Sequence, residues 1–310
     1  MIDIRYFSDN LKILYNDTSV LFEKISIEIV DNFEDDSFGD TSEVMGSQSI
    51  NNNEVIIKIH ENWNNEYVIS HELLHAYFIG QNYPDHIYHG KFNESIRTLM
   101  IARQSIYNTV LHKLIIREQQ RREINIDEEL NQQIQNILLT NVAEIKKDSM
   151  VNPGLVLKLF DLLVLYDFRK EEFEKFLIET CPREYKFAKR LANICLQNEY
   201  DNPFKTRQII VKVFKKFDLI LKELGLPVLH LNKWIEIGFV PRKYQLNSSL
   251  ENTFFIEETI ISDMTAYRLI SKVDDQLSYV VAKTHYKLDE MRKMLLEDFY
   301  KIFNIKYTLS

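Results

Sequence analysis

Apolar and polar positions alternate along the chain in runs that predict a mostly helical protein with a little sheet. Residues 17–32 (DTSVLFEKISIEIVDN) predict a helix, started by Asp17 or Thr18 as its cap. Residues 35–53 are rich in Asp, Ser, Gly and Asn and predict a loop. EVIIKIH, residues 54–60, is a β-branched run that predicts a short strand. Residues 65–79 (NEYVISHELLHAYFI) predict a helix that stops near Gly80. From about residue 93 to 122 there is no Gly or Pro, and the pattern is that of a helix buried all round.

Further helices are predicted over 127–147, 155–166, 170–179, 183–198 and 205–224, the last ended by Gly225 and Pro227. The pattern then changes. Residues 252–262, 266–273 and 277–282 are rich in β-branched and aromatic side chains and predict strands, with Asp274 and Asp275 turning between the last two. A final helix is predicted over 288–303. The expected class is α+β, mainly α. Three units are expected: residues 1–125 around the small sheet, a helical domain over 126–228, and a small α+β domain over 229–310.

Composition and charge sharpen this further. Seven glycines in 310 residues are few, which disfavours a glycine-punctuated all-β fold. The net charge of −8 disfavours nucleic acid as the main partner. Arg117, Arg121 and Arg122 cluster at a predicted helix end, where cations suit the dipole and a solvated face is expected. The longest apolar stretch, residues 155–166, contains Lys158 and Asp161 and is too short to span a membrane. No basic start followed by an apolar run marks a secretory signal. Cys181 and Cys195 have no metal-binding spacing, and a reduced, cytoplasmic setting is expected.

Chemistry is concentrated in His71-Glu72-Leu73-Leu74-His75, an H-E-x-x-H run. Residues four apart share one face of a helix, so both imidazoles can reach a single ion. Glu72, one residue after the first histidine, points near the open position of such an ion and not at the ion itself. A carboxylate there can take a proton from a bound water whose pKa zinc lowers towards about 7.

VISHELLHAYF following EVIIKIH resembles the zincin metallopeptidases. The resemblance covers about residues 54–115. It implies a small sheet, an active-site helix and a supporting helix. It also implies one Zn²⁺ ion held by His71 and His75, with Glu72 as general base and proton shuttle in peptide-bond hydrolysis.

A zincin needs a third protein ligand, and three residues compete for that place. Helical angles put Glu94, Ser105, Asn108 and His112 on one side of the long helix. A histidine on a buried face needs a partner, and a metal is one. HELLHA followed by N-x-x-x-H, with His112 37 residues after His75, is similar to a group of uncharacterised bacterial zincin-like proteins. Glu94 in FNESIRTL resembles the glutamate of the gluzincins, although Thr98 stands where that family has an aspartate. His89 in HGKF resembles the H-G-x-x-F of SprT-like proteases. His112 is the preferred choice.

The expected function is therefore a zinc metallopeptidase acting on a peptide or protein substrate. The competing expectation is a regulatory or interaction protein with a structural zinc site, its helical region meeting a protein partner. An open coordination position separates the two, because a structural zinc is closed by four protein ligands.

Overall fold

The computed structural model describes residues 4–31, 45–63, 65–89, 94–127, 131, 151–165, 170–261, 264–283 and 285–310. The fold is α+β and mainly α, with 56% helix against 20% strand among the described residues, so helices do most of the burying there. In chain order the principal elements begin with α1 (Asp9–Ser19), β1 (Lys24–Val30), β2 (Gly46–Asn51), β3 (Glu54–His60), α2 (Glu66–Gly80), β4 (His86–Tyr88) and α3 (Glu94–Arg121). Then come α4 (Pro153–Leu165), α5 (Lys170–Thr180), α6 (Pro182–Leu196), α7 (Pro203–Glu223), α8 (Leu231–Trp234) and β5 (Ile235–Ile237). The chain ends with α9 (Leu250–Thr253), β6 (Phe254–Ile261), β7 (Met264–Ser271), β8 (Leu277–Ala282), α10 (Leu288–Lys293) and α11 (Leu296–Ile302). The helix expected over 127–147 lies, apart from Asp127 and Asn131, outside the described residues. Among the described residues, no helix is long and apolar enough to cross a membrane.

The chain forms two compact units, each built from three separate segments. The first comprises Met1–Gln81, Leu111–Val151 and Asp161–Tyr185; the second comprises Asn82–Val110, Asn152–Phe160 and Lys186–Ser310.

In the first unit, β3 lies at the centre of a three-stranded sheet in the order β1-β3-β2. Its alternation buries Val55, Ile57 and Ile59 and leaves Glu54 and Lys58 exposed. Strand β1 overturns the helix expected over 17–32. KISIEIV runs parallel to β3, with Ile27 opposite Ile57, so pairing with a neighbour decided a stretch whose local pattern is ambiguous. Only its start is helical, because α1 ends at Ser19.

Strand β2 likewise replaces the last part of the loop expected over 35–53; residues 32–44 are outside the described residues. It pairs antiparallel with β3 through a two-residue turn at Asn52 and Asn53. Both have positive φ, 49° and 66°, which asparagine tolerates and a tight hairpin of this hand requires. The long helix α3 is not buried all round: Ile101 is 37% exposed, and Thr98 and Gln104 are also exposed. Nor is its C-terminal end a solvated basic face throughout. The Arg122 side chain is only 7% exposed, donates to Asp17 at 2.8 Å and Glu118 at 2.9 Å, and lies 5.8 Å over the Tyr77 ring.

In the second unit, β6, β7 and β8 form an antiparallel sheet in that order, and β4 pairs with β5. The sheet buries one face with α9, α10 and α11 around Phe254, Tyr267, Leu269, Tyr279, Met291, Phe299 and Tyr300. The helix expected over 288–303 breaks at Met294 and Leu295. There the backbone is extended, Leu250 N–H donates to the Met294 carbonyl and Leu296 N–H to that of Ser248. A strand-like bridge to Ser249 thus takes hydrogen bonds that a continuous helix would have kept.

Candidate metal centre

Helix α2 is held by its own sequence and by its neighbours. Asn65 caps it, accepting from the Val68 N–H at 3.0 Å, and Glu66 lies in the first turn, where the dipole favours an acid. Glu66 also accepts from the Ser8 N–H at 2.6 Å, tying α2 to the start of α1. Tyr67, Val68, Ile69, Leu73, Leu74, Ala76 and Phe78 are buried on several sides of the helix, which packs against α1, β2 and β3. The polar side chains between them are therefore carried into the interior: Glu72 is 9% exposed and His75 6%.

A second anchor lies one residue before the first histidine. Gln119 of α3 donates to the Ser70 hydroxyl at 2.8 Å and to the Tyr67 carbonyl at 3.1 Å. Ser70 itself donates to the Tyr67 carbonyl at 2.9 Å.

His71 and His75 meet as the i, i+4 spacing requires. Their Nε2 atoms are 3.3 Å apart and their ring centroids 5.0 Å. The structure brings His112 of α3 to the same place, its ring 4.8 Å from that of His71 and 5.7 Å from that of His75. One nitrogen from each of the three lies within 4.8 Å of the others. Nδ1 of His112 is hydrogen-bonded at 2.7 Å to Oδ1 of Asp161 on α4, which leaves Nε2 for another partner. Nδ1 of His71 is buried with no hydrogen-bond partner among the described residues.

The electrostatics follow from burial. Burial holds the His71 imidazole well below its ordinary value, and the neighbouring His112 and His75 lower it further. At His112 burial acts downwards, but the charge and hydrogen bond of Asp161, with the charge of Glu72, outweigh it and raise the imidazole. Burial pushes the Glu72 carboxyl up to about 7, against the opposing charge of His112. Glu72 also packs against Gly46 of β2. A Cβ at Gly46 would come 3.0 Å from the Glu72 Cγ, 3.2 Å from its Oε1 and 2.9 Å from Val68 Cγ1, so no side chain fits there undisturbed.

This donor set suits zinc. A tetrahedral zinc with bonds of about 2.0–2.1 Å holds its ligand nitrogens about 3.3–3.4 Å apart. The His71 and His75 nitrogens already have that separation, and the wider limit of 4.8 Å for the whole group leaves a small closure for His112. Three neutral imidazoles form a familiar zinc donor set. Burial that lowers the His71 pKa keeps this imidazole in the neutral form that a metal needs.

The other two ligand candidates stand differently. His89 lies in the second unit, where its Nε2 meets Oε2 of Glu236 at 2.6 Å, and the same carboxylate oxygen accepts from the Val280 N–H at 3.0 Å. Glu94 begins α3, and its side chain is outside the described residues. Sequence reasoning missed two contributors, Asp161 and Gly46. The signal for Asp161 was present, because it is the one acidic residue in PGLVLKLFDLLVL and an acid set among apolar residues requires a partner. Gly46 had no comparable signal in a stretch expected to be loop.

Comparison with protein-family models, with curated proteins and with solved structures finds no match to this chain.

Proposed function

We propose that this chain is a zinc-dependent metallopeptidase that hydrolyses peptide bonds of a peptide or protein substrate. The observation that carries the reading is the convergence of three imidazoles, from His71, His75 and His112, beside the buried carboxyl of Glu72. Zinc held there would lower the pKa of a water towards about 7 and polarise a carbonyl.

The protein's own groups do the rest. His71, His75 and His112 would hold the ion. Glu72 takes a proton from the attacking water as oxygen bonds to the carbonyl carbon. It then delivers that proton to the nitrogen as the C–N bond breaks, so a carboxyl and an amine leave and Glu72 returns to its starting form. Three protein ligands would leave a fourth position for water, as in a catalytic zinc site. The two cysteines, Cys181 and Cys195, are buried and suit a reducing compartment, and a cytoplasmic setting is part of the proposal. Recovery of the native protein with either thiol oxidised would remove that part.

Metal content and proteolysis of the purified chain test the reading together. The wild type is expected to carry one zinc per chain and to cleave members of a random peptide library. His71→Ala, His75→Ala and His112→Ala are each expected to lose the metal. Glu72→Gln should keep zinc and lose about 10²–10⁴-fold in rate, the usual worth of a general base. Full activity in Glu72→Gln, or a wild type that takes up no zinc, would overturn the proposal.

A further inference from the structure

The third histidine is held from outside the H-E-x-x-H helix by a residue of its own. His112 Nδ1 and Asp161 Oδ1 are 2.7 Å apart, a length typical of a charge-assisted hydrogen bond. The His112 side chain is 13% exposed and that of Asp161 26%, so the bond is only partly screened by water. Asp161 lies on a helix whose other residues are mostly apolar, with Leu162, Leu163, Val164 and Leu165 buried beyond it. That packing fixes where its carboxylate stands.

Geometry then decides the chemistry of the ring. With the Nδ1–H directed at Asp161, the lone pair of neutral His112 lies on Nε2, the other ring nitrogen. A carboxylate in this position also makes the ring a better donor and limits its rotation. The two α2 histidines are placed by the i, i+4 geometry of one helix, whereas His112 comes from another and has no such local constraint.

We infer that Asp161 is the positioning residue of the metal centre: it fixes the tautomer and orientation of His112 and so sets the affinity for zinc. This rests on the proposed zinc site. It concerns a different residue and predicts a different measurement from the assignment of Glu72 as base.

Zinc affinity, measured by competition with a chromophoric chelator, is the test. Asp161→Ala is expected to weaken zinc binding 10–100-fold, the usual effect of losing such a partner. Asp161→Asn, whose amide oxygen can still accept from Nδ1–H, is expected to recover a large part of that loss. The visible spectrum of the cobalt-substituted protein should shift in Asp161→Ala and return towards wild type in Asp161→Asn. A merely structural ion pair would move neither the spectrum nor the order of the two variants. Wild-type affinity in Asp161→Ala overturns this inference alone. If Asp161→Ala does not fold, the comparison rests on Asp161→Asn, and a loss there as large as in a His112→Ala chain overturns it. A wild type that binds no zinc overturns both this inference and the peptidase reading.

Discussion

Glu72 and Gly46 show how closely the proposed base is placed. The carboxyl can occupy its position because the strand beside it has no Cβ at residue 46. Gly46→Ala therefore has to displace Val68 or Glu72 by a few tenths of an ångström, and since a shift of about 1 Å at a catalytic group costs about 10²-fold in rate, this one costs about severalfold. The expected outcome is a variant with unchanged zinc content and peptidase activity lowered by about that factor. Equal activity in Gly46→Ala and wild type would show that the carboxyl has room to spare. At this scale His71, Glu72 and His75 are legible in the sequence, because their geometry depends only on one turn of helix. The Asp161 contact is not, since its partner lies 49 positions away.

Elements transmit these positions. Gln119 joins α3 to α2 at Ser70 and Tyr67, immediately before His71, and is itself fully buried. Gln119→Ala leaves the Ser70 hydroxyl and the Tyr67 carbonyl without that donor. The Ser70-to-Tyr67 hydrogen bond remains, so what is lost is the pair of bonds from the amide, about 0.5–1.5 kcal/mol each. Urea unfolding followed by circular dichroism should show a correspondingly lower midpoint, and an unchanged midpoint would show that water replaces the amide. The elements were unevenly legible. Helix α2 was recovered because cap, apolar positions and stop agree locally. Strand β1 was read as helix because KISIEIV follows directly on a helical start. The parallel pairing that makes it a strand is with residues 54–60, beyond the reach of any local pattern. The last helix divides for the same reason, through its bridge to Ser249.

For the molecule as a whole, the units are assembled from segments far apart in the sequence. All three histidines, Glu72 and Asp161 fall in one unit. Zinc that binds only the folded unit adds stability by mass action, about 2.7 kcal/mol at a free concentration 100 times Kd. Calorimetry is expected to show one transition moving upward with zinc and downward with a chelator. Melting that is identical in both conditions would count against a folded-state metal site.

What the sequence determined by itself is what short-range geometry can specify. It specified a mainly helical α+β chain, a helix over the H-E-x-x-H run and two imidazoles four residues apart with a carboxyl beside them. The side of the long helix that carries His112 also followed from angles along one element. Tertiary structure alone decided that His112 reaches the other two histidines, that Asp161 holds it, that Gly46 makes room for Glu72, and that residues 24–30 are a strand. Each of these is a contact between segments distant in the chain. Such contacts are chosen by burial and pairing over the whole fold, and no local spacing encodes them.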